Sequence, residues 1–95
     1  MRTMLKAQLN IETASLAIGD GSINDIFGKV FGLCQPEATY FMVENGLRTV
    51  IAIFDLKSPD MIPALAEPLF QGLGATVDMW PVMSADELQK GLMAK

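Results

Sequence analysis

Five side chains of this sequence have the chemistry to bind or transform a small molecule: Asp20, Tyr40, Arg48, Asp55 and Trp80. The two carboxylates can accept a proton, and apolar surroundings raise the pKa of a carboxylate toward the range in which it shuttles protons. The guanidinium offers a planar fork of donors to an anion. The two aromatic side chains are suited to line an apolar site.

Each of these residues also has an ordinary structural role. Gly19-Asp20-Gly21-Ser22 lacks the later glycine and lysine of phosphate-binding loops, so a turn is favoured there. Asp55 is placed to cap the entry to a helix, and Arg48 beside a hairpin turn is commonly solvated. Tyr40 is suited to core packing. Trp80 is suited to packing under a terminal helix or against a partner.

The residues that are missing exclude several classes of chemistry. The chain has no His and a single Cys, so it holds neither a Ser-His-Asp or Cys-His arrangement nor a Cys-rich zinc site. The ordinary role of a free Cys is that of a small buried hydrophobe, which we favour for Cys34 over a reactive thiol. We therefore predict no metal site and no cofactor.

Length, composition and charge favour one small globular domain over residues 1–95. The chain is 51% hydrophobic and carries 7 basic against 11 acidic residues, a net charge of −4. Its scattered Lys and Arg residues argue against nucleic acid and anionic membranes as partners. No segment approaches the ~20 apolar residues of a membrane helix. One Cys forms no internal disulfide, which favours the cytoplasm.

The alternation of polar and apolar residues predicts strands over residues 2–10 and 75–83. Apolar residues at helical spacing predict a helix beginning at residues 13–18, interrupted by a turn at 19–22 and resuming from Ile23 to Cys34, with Ser22 or Asn24 as its cap. A further helix is predicted to open at Ser58-Pro59-Asp60 and, because of Pro68, to kink or break near Glu67. Ser84-Ala-Asp-Glu87 matches a capping box and predicts a short terminal helix.

The most informative stretch runs from Ala38 to Leu56 and is typical of two strands joined at Asn45-Gly46. Both turn residues tolerate φ > 0, as a two-residue type I′ turn requires. Counting outward from the turn sets the register. One face then carries Phe41, Val43, Val50, Ala52 and Phe54, and the other carries Tyr40, Met42, Ile51 and Ile53. A sheet with one face in water alternates apolar and polar residues, whereas these two strands are largely apolar on both faces. A second cover is therefore expected for the Tyr40 face.

The resulting order is β-α-β-β-α-β with a short C-terminal helix, which is a ferredoxin-like α+β arrangement. In such a sheet the first and third strands are central, and the second and fourth lie at the edges. Pro81 in the fourth strand agrees with an edge position.

Several short motifs carry a resemblance to a known family. They are Pro36-Glu-Ala-Thr-Tyr-Phe41, Ile53-Phe-Asp-Leu56 followed by Ser58-Pro59-Asp60, Glu67-Pro-Leu-Phe70 and Trp80-Pro-Val-Met83. Over roughly residues 36–83 the chain resembles the muconolactone-isomerase-like members of the dimeric α+β barrel superfamily. Within it, the likeness is closest to a small uncharacterised family of bacterial proteins.

The resemblance implies a homodimer in which two sheets close a barrel, with ligands held between sheet and helices. Superfamily members include isomerases, cofactor-free monooxygenases and dehalogenating enzymes, but this chain lacks the His of the catalytic members. One hypothesis is that each subunit binds, isomerises or oxidises an apolar or aromatic carboxylated metabolite. Tyr40 and Trp80 would form walls, Arg48 would contact the anion, and Asp20 or Asp55 would accept a proton. The other hypothesis is a non-enzymatic dimeric structural or interaction module.

Overall fold

The structure, a computed structural model, describes residues 1–94 as a four-stranded antiparallel sheet with helices. The elements are β1 (Arg2–Gln8), α1 (Ile11–Asp20), α2 (Ser22–Cys34), β2 (Ala38–Glu44), β3 (Leu47–Asp55), α3 (Met61–Leu73), β4 (Thr76–Pro81) and α4 (Ala85–Met93). The strands lie in the order β2-β3-β1-β4. The α+β, ferredoxin-like strand order predicted from the sequence is therefore confirmed, with the first and third strands at the centre.

The β2–β3 hairpin has the predicted register. Asn45 and Gly46 take φ values of 55° and 76°, the left-handed conformation of a two-residue turn. Tyr40 pairs with Ile51, and Phe41 pairs with Val50. Because side chains alternate between the two sides of a strand, this register fixes which side chains share a face of the sheet.

One face of the sheet packs against α1, α2 and α3 and holds the core. Leu5, Val50 and Phe54 on this helix-covered face are each 2% exposed or less. They pack with Val30 of α2 and with residues of α3, and the buried α3 members are Leu65, Leu69 and Leu73. Burial of these side chains is the main stabilising contribution to the fold, at roughly 1.5–3 kcal/mol for each large apolar side chain.

Two of the helix starts differ from the sequence prediction. The α1 helix begins at Ile11, because the side chain of Asn10 accepts a hydrogen bond from the Thr13 amide at 2.9 Å and caps the first turn. The N-cap of α2 is Gly21, without a side-chain cap, so the prediction of Ser22 or Asn24 as cap is wrong. Gly21 at φ 81° instead serves as the break between the two helices.

The α3 helix begins at Met61, with Asp60 at its N-cap position, and runs to Leu73 without a break at Pro68. Proline removes one backbone donor, and the helix continues because the packing of its buried side chains outweighs that loss. Across residues 1–94, no helix combines the length and the apolar composition needed to cross a bilayer.

The opposite side of the sheet has none of the helices of residues 1–94 packed against it, and we call it the open face. Its side chains include Arg2, Met4, Lys6 and Gln8 in β1, Ala38, Tyr40, Met42 and Glu44 in β2, Thr49, Ile51, Ile53 and Asp55 in β3, and Thr76, Asp78 and Trp80 in β4. Tyr40 is 64% exposed and Trp80 40% exposed. A broad apolar surface of this kind is characteristic of an association site.

The terminal helix α4 extends from the fold without joining its core. Its capping box is formed, with Ser84 and Glu87 exchanging side-chain and backbone hydrogen bonds as predicted. Every residue of the helix is exposed, and Glu87 pairs with Arg2 at the start of β1. The radius of gyration is 14.9 Å, whereas a compact chain of this length has roughly 12 Å.

Candidate small-molecule site

A cavity of about 330 Å³ lies between the helix-covered face of the hairpin and the first half of α2. Ile23 and Phe27 of α2 form one wall, and Phe41 and Val43 of β2 form the facing wall. The size falls within the range of small-molecule sites, which begins at roughly 300 Å³. Its lining residue Val43, on the edge strand β2, is 75% exposed, so the cavity is open to solvent there.

Three aromatic rings cluster at this cavity, and two of them, Phe27 and Phe41, line it. Phe27 and Phe31, one turn apart on α2, stack with ring centroids 5.4 Å apart. Phe41 meets both rings edge-on, at 5.7 Å from Phe27 and 6.4 Å from Phe31. Edge-to-face contacts hold aromatic side chains in defined orientations. The cavity therefore has a stable apolar wall suited to a flat apolar or aromatic group.

Arg48 is the only charged residue within the described chain that lines the cavity. It pairs with Val43 across the hairpin, so it lies on the helix-covered side of the sheet. Its Nη1 donates to Oγ of Ser15 at 3.2 Å and to the carbonyl oxygen of Ile11 at 3.4 Å. No carboxylate of residues 1–94 lies within ion-pair distance of it. The guanidinium is held in place by α1 and keeps donors free for an anion.

The two candidate proton acceptors lie away from this cavity. The carboxylate of Asp20 accepts a hydrogen bond from the Ser22 amide at 2.8 Å, and this bond lowers the pKa of the carboxyl. The Asp55 carboxylate accepts from the amino group of Met1 at 2.7 Å, which lowers its pKa as well. A lowered pKa makes a carboxylate a weaker base. Neither residue lines the cavity.

Tyr40 and Trp80 lie on the open face, with the sheet between them and the cavity. They also stand on opposite edge strands, about 14 Å apart across three strand spacings. The structure therefore brings Arg48 to the cavity but does not bring Tyr40, Trp80 or the two aspartates there. Their roles as ligand contacts stay predictions from the sequence.

Sequence reasoning missed the residues that build the cavity walls. The signal was present for Val43, because the hairpin register places it directly opposite Arg48. Phe27 was recognised as part of an apolar helical stripe, but spacing alone does not tell which strand a helical residue will face.

The described residues contain no cluster suited to a metal ion. Among residues 1–94, no three or more Cys, Asp or Glu side chains come together as ligands. Burial raises the pKa of the Cys34 thiol, which favours the neutral form over the thiolate that reacts or binds metal.

No protein-family model matches the chain, and no curated protein matches it at a significant level. What the cavity can bind therefore follows from its own residues.

Proposed function

We propose that this chain is a small-molecule-binding protein that acts as a homodimer, each subunit holding one apolar or aromatic carboxylate in the cavity between the hairpin and α2. The single observation that carries this proposal is Arg48, an arginine without a carboxylate partner in residues 1–94, at the rim of an otherwise apolar cavity. An apolar body would pack on Phe27 and Phe41, and a carboxylate would accept from the guanidinium.

The lining favours binding over turnover. Of residues 1–94, Arg48 and Thr49 are the only polar ones around the cavity. The side chain of Thr49 lies on the open face, away from the cavity, where its hydroxyl donates to the carbonyl oxygen of Leu47 at 3.0 Å. Arginine stays protonated at neutral pH and does not act as a general base. With no acid or base among these lining residues, an isomerisation or a cofactor-free oxidation would depend on the bound molecule's own reactivity. Binding without chemistry needs only the residues present.

The open face supports the dimer. The accessible surface of the subunit is 6086 Å², whereas a folded monomer of 10.3 kDa typically has roughly 5,400 Å². The protruding helix α4 contributes to this excess, so the support for the dimer is the open face itself, where Tyr40 is 64% and Trp80 40% exposed. We propose that two sheets stack through their open faces to form a dimeric α+β barrel. The single buried Cys34 supports a reducing compartment, which we propose is the cytoplasm.

A non-enzymatic interaction module is the second candidate. It is favoured by the edge strand β2, where four consecutive apolar residues from Tyr40 to Val43 are exposed. A long apolar edge strand without Lys or Pro is a template for pairing with another chain. In this alternative the cavity is only a packing defect, and small carboxylates do not bind to it.

Matched ligand pairs test the proposal. Phenylacetate and its neutral amide, phenylacetamide, have the same apolar body and differ in the anionic group. We expect phenylacetate to shift the amide resonances of Phe27 and Val43 in a two-dimensional NMR titration, at lower concentration than phenylacetamide. Equal binding of the two would contradict the role of Arg48, and binding of neither, with a larger naphthoate also inactive, would favour the interaction module.

A further inference from the structure

The open face carries a pattern that fixes how a second copy can lie on it. The ladder aligns Tyr40, Ile51, Lys6 and Asp78 in one row across the sheet, from the β2 edge to the β4 edge. The next row holds Ala38, Ile53, Met4 and Trp80 in the same strand order. The first row thus ends in the phenol of Tyr40 at the β2 edge and the carboxylate of Asp78 at the β4 edge.

Neither of these two edge groups has a partner among residues 1–94. The Tyr40 hydroxyl makes no hydrogen bond there, and the Asp78 carboxylate makes neither a hydrogen bond nor an ion pair, whereas Lys6 and Gln8 on the same face both pair with Glu44. The two groups cannot meet within one subunit, because β2 and β4 are about 14 Å apart. Covering the face would leave both groups without water, and each would then need a partner.

We propose that two copies stack their open faces about a two-fold axis parallel to the strands, so that Tyr40 of each subunit donates a hydrogen bond to Asp78 of the partner subunit. This inference rests on the dimer proposed above and specifies its geometry. Rotation about an axis parallel to the strands leaves each residue at the same height along the strands, so each row lies over the same row of the partner. The rotation reverses the order of the strands, so the β2 edge of one sheet lies over the β4 edge of the other. Stacked sheets lie about 10 Å apart, a gap that a Tyr and an Asp side chain together span.

The neighbouring contacts in this arrangement are also complementary. In the next row, Trp80 lies over the small side chain of the partner's Ala38, and Met4 lies over the partner's Ile53. The large side chain of Trp80 thus packs on a small one, and both contacts join apolar side chains. In the first row, the Lys6 stem covers the partner's Ile51 while its ammonium group stays on Glu44 of its own subunit.

An axis perpendicular to the strands gives poorer contacts. It lays each strand over its own copy and reverses the rows. Centred on the first row, it would stack Lys6 on the partner's Lys6 and Asp78 on the partner's Asp78, which is unfavourable for like charges. Centred between the two rows, it would cover the Asp78 carboxylate with the partner's Trp80 and the Tyr40 hydroxyl with the partner's Ala38, leaving both groups unpaired.

A double-mutant cycle on the dimer tests the contact. The dimer dissociation constant is measured by sedimentation equilibrium for the wild type, Tyr40→Phe, Asp78→Ala and the double variant, with circular dichroism as the check on folding. The dimer contains the contact twice, and a hydrogen bond to a charged group contributes about tenfold or more in affinity. Because the dimer loses two such contacts, we expect each single variant to raise the dissociation constant roughly 100-fold or more and the double variant to raise it little further.

The double-mutant cycle detects only a contact between the two subunits. Substitutions more than 7–10 Å apart in one chain are normally additive, so non-additivity between Tyr40 and Asp78 requires the second subunit. A dimer in which the two effects add, or are absent, overturns the strand-parallel arrangement while leaving the dimer itself intact. A wild-type protein that stays monomeric at high concentration overturns the dimer as well.

Discussion

A Cβ atom at Gly72 of α3 would lie 3.0 Å from Cγ1 of Ile26 in α2, and closer still to its Cδ1. The two helices therefore approach closely at this point, and the side chain of Ile26 fills the space above the glycine. We expect Gly72→Ala to destabilise the protein by about 1 kcal/mol in urea unfolding. Overpacking costs roughly 1–3 kcal/mol, which outweighs the ~1 kcal/mol that alanine gains over glycine in a helix.

Two variants isolate this contact. In an Ile26→Ala background the clash is gone, so adding Gly72→Ala should raise the free energy of unfolding rather than lower it. Gly28 lies in α2 at a position where an added Cβ atom would meet no side chain of residues 1–94 within 4 Å, and Gly28→Ala should stabilise the protein by about 1 kcal/mol. A destabilising Gly72→Ala in both backgrounds would show that the contact with Ile26 is not the cause.

The open face provides the second prediction. We expect Ile51→Lys to leave the subunit folded and to abolish the dimer, because an ammonium group without a partner is strongly unfavourable in a covered apolar interface. Size-exclusion chromatography with light scattering gives the mass directly. Leu16→Lys, on the exposed side of α1, is the matched control and should keep the mass of the wild type. An unchanged dimer for Ile51→Lys would refute burial of this face.

Arg48 provides the third prediction. Arg48→Met keeps the apolar stem and removes the donors, so we expect it to weaken phenylacetate binding at least tenfold while changing phenylacetamide binding little. Isothermal titration of both ligands checks this. Arg2→Met, at the opposite end of the sheet, serves as the control, since Arg2 pairs with Glu37 and Glu87 and lies outside the cavity. Equal losses for both ligands would point to a collapsed cavity instead of a lost ion contact.

The terminal helix gives a prediction about local stability. Ser84→Ala removes the N-cap and should reduce the stability of α4 by about 1 kcal/mol. Because every residue of α4 is exposed, the melting temperature of an isolated subunit, measured in the Ile51→Lys background, should change little. Amide hydrogen exchange should accelerate for residues of α4 alone. A fall in the melting temperature of that monomer would mean that the helix contributes to the fold.

Asp20 gives a prediction about pH. The Ser22 amide lowers the pKa of the Asp20 carboxyl below its ordinary value of 3.8 in the folded state. Its contribution to stability is therefore present above the unfolded pKa and is lost as the pH falls through the lower, folded value. Asp20→Asn keeps an acceptor for the Ser22 amide but does not ionise there. Its urea midpoint should fall less steeply below pH 4 than that of the wild type, and identical slopes would contradict this role.

The hairpin was predictable because local chemistry determines it, and the strand order followed from the β-α-β-β-α-β succession of elements. Asn45-Gly46 permits one short turn, and the turn fixes the register of everything from Ala38 to Asp55. The start of α1 was missed because Asn10 follows a strand-like pattern and its role as a cap depends on the conformation of the backbone there. The capping box at Ser84 and Glu87 was found because its two partners are three residues apart.

The site was less predictable because its parts are distant in the sequence. Arg48 and Val43 share a face by their register, and that register already separates them from Tyr40. The contact between Phe41 and Phe27 depends on how α2 crosses the sheet, which follows from the packing of the whole helix layer. The spacing of apolar residues within one helix or strand does not tell at which angle α2 crosses the sheet.

The interleaved strand order also has a consequence for how the chain folds. The strand β1 is synthesised before β2, yet its ladder partners are the later strands β3 and β4. Until residues beyond 47 have left the ribosome, β1 lacks both of these partners, whereas the two strands of the hairpin pair across a short turn. We expect the hairpin to form first and β1 to insert beside it late, since closing the long intervening loop costs entropy before the ladder forms.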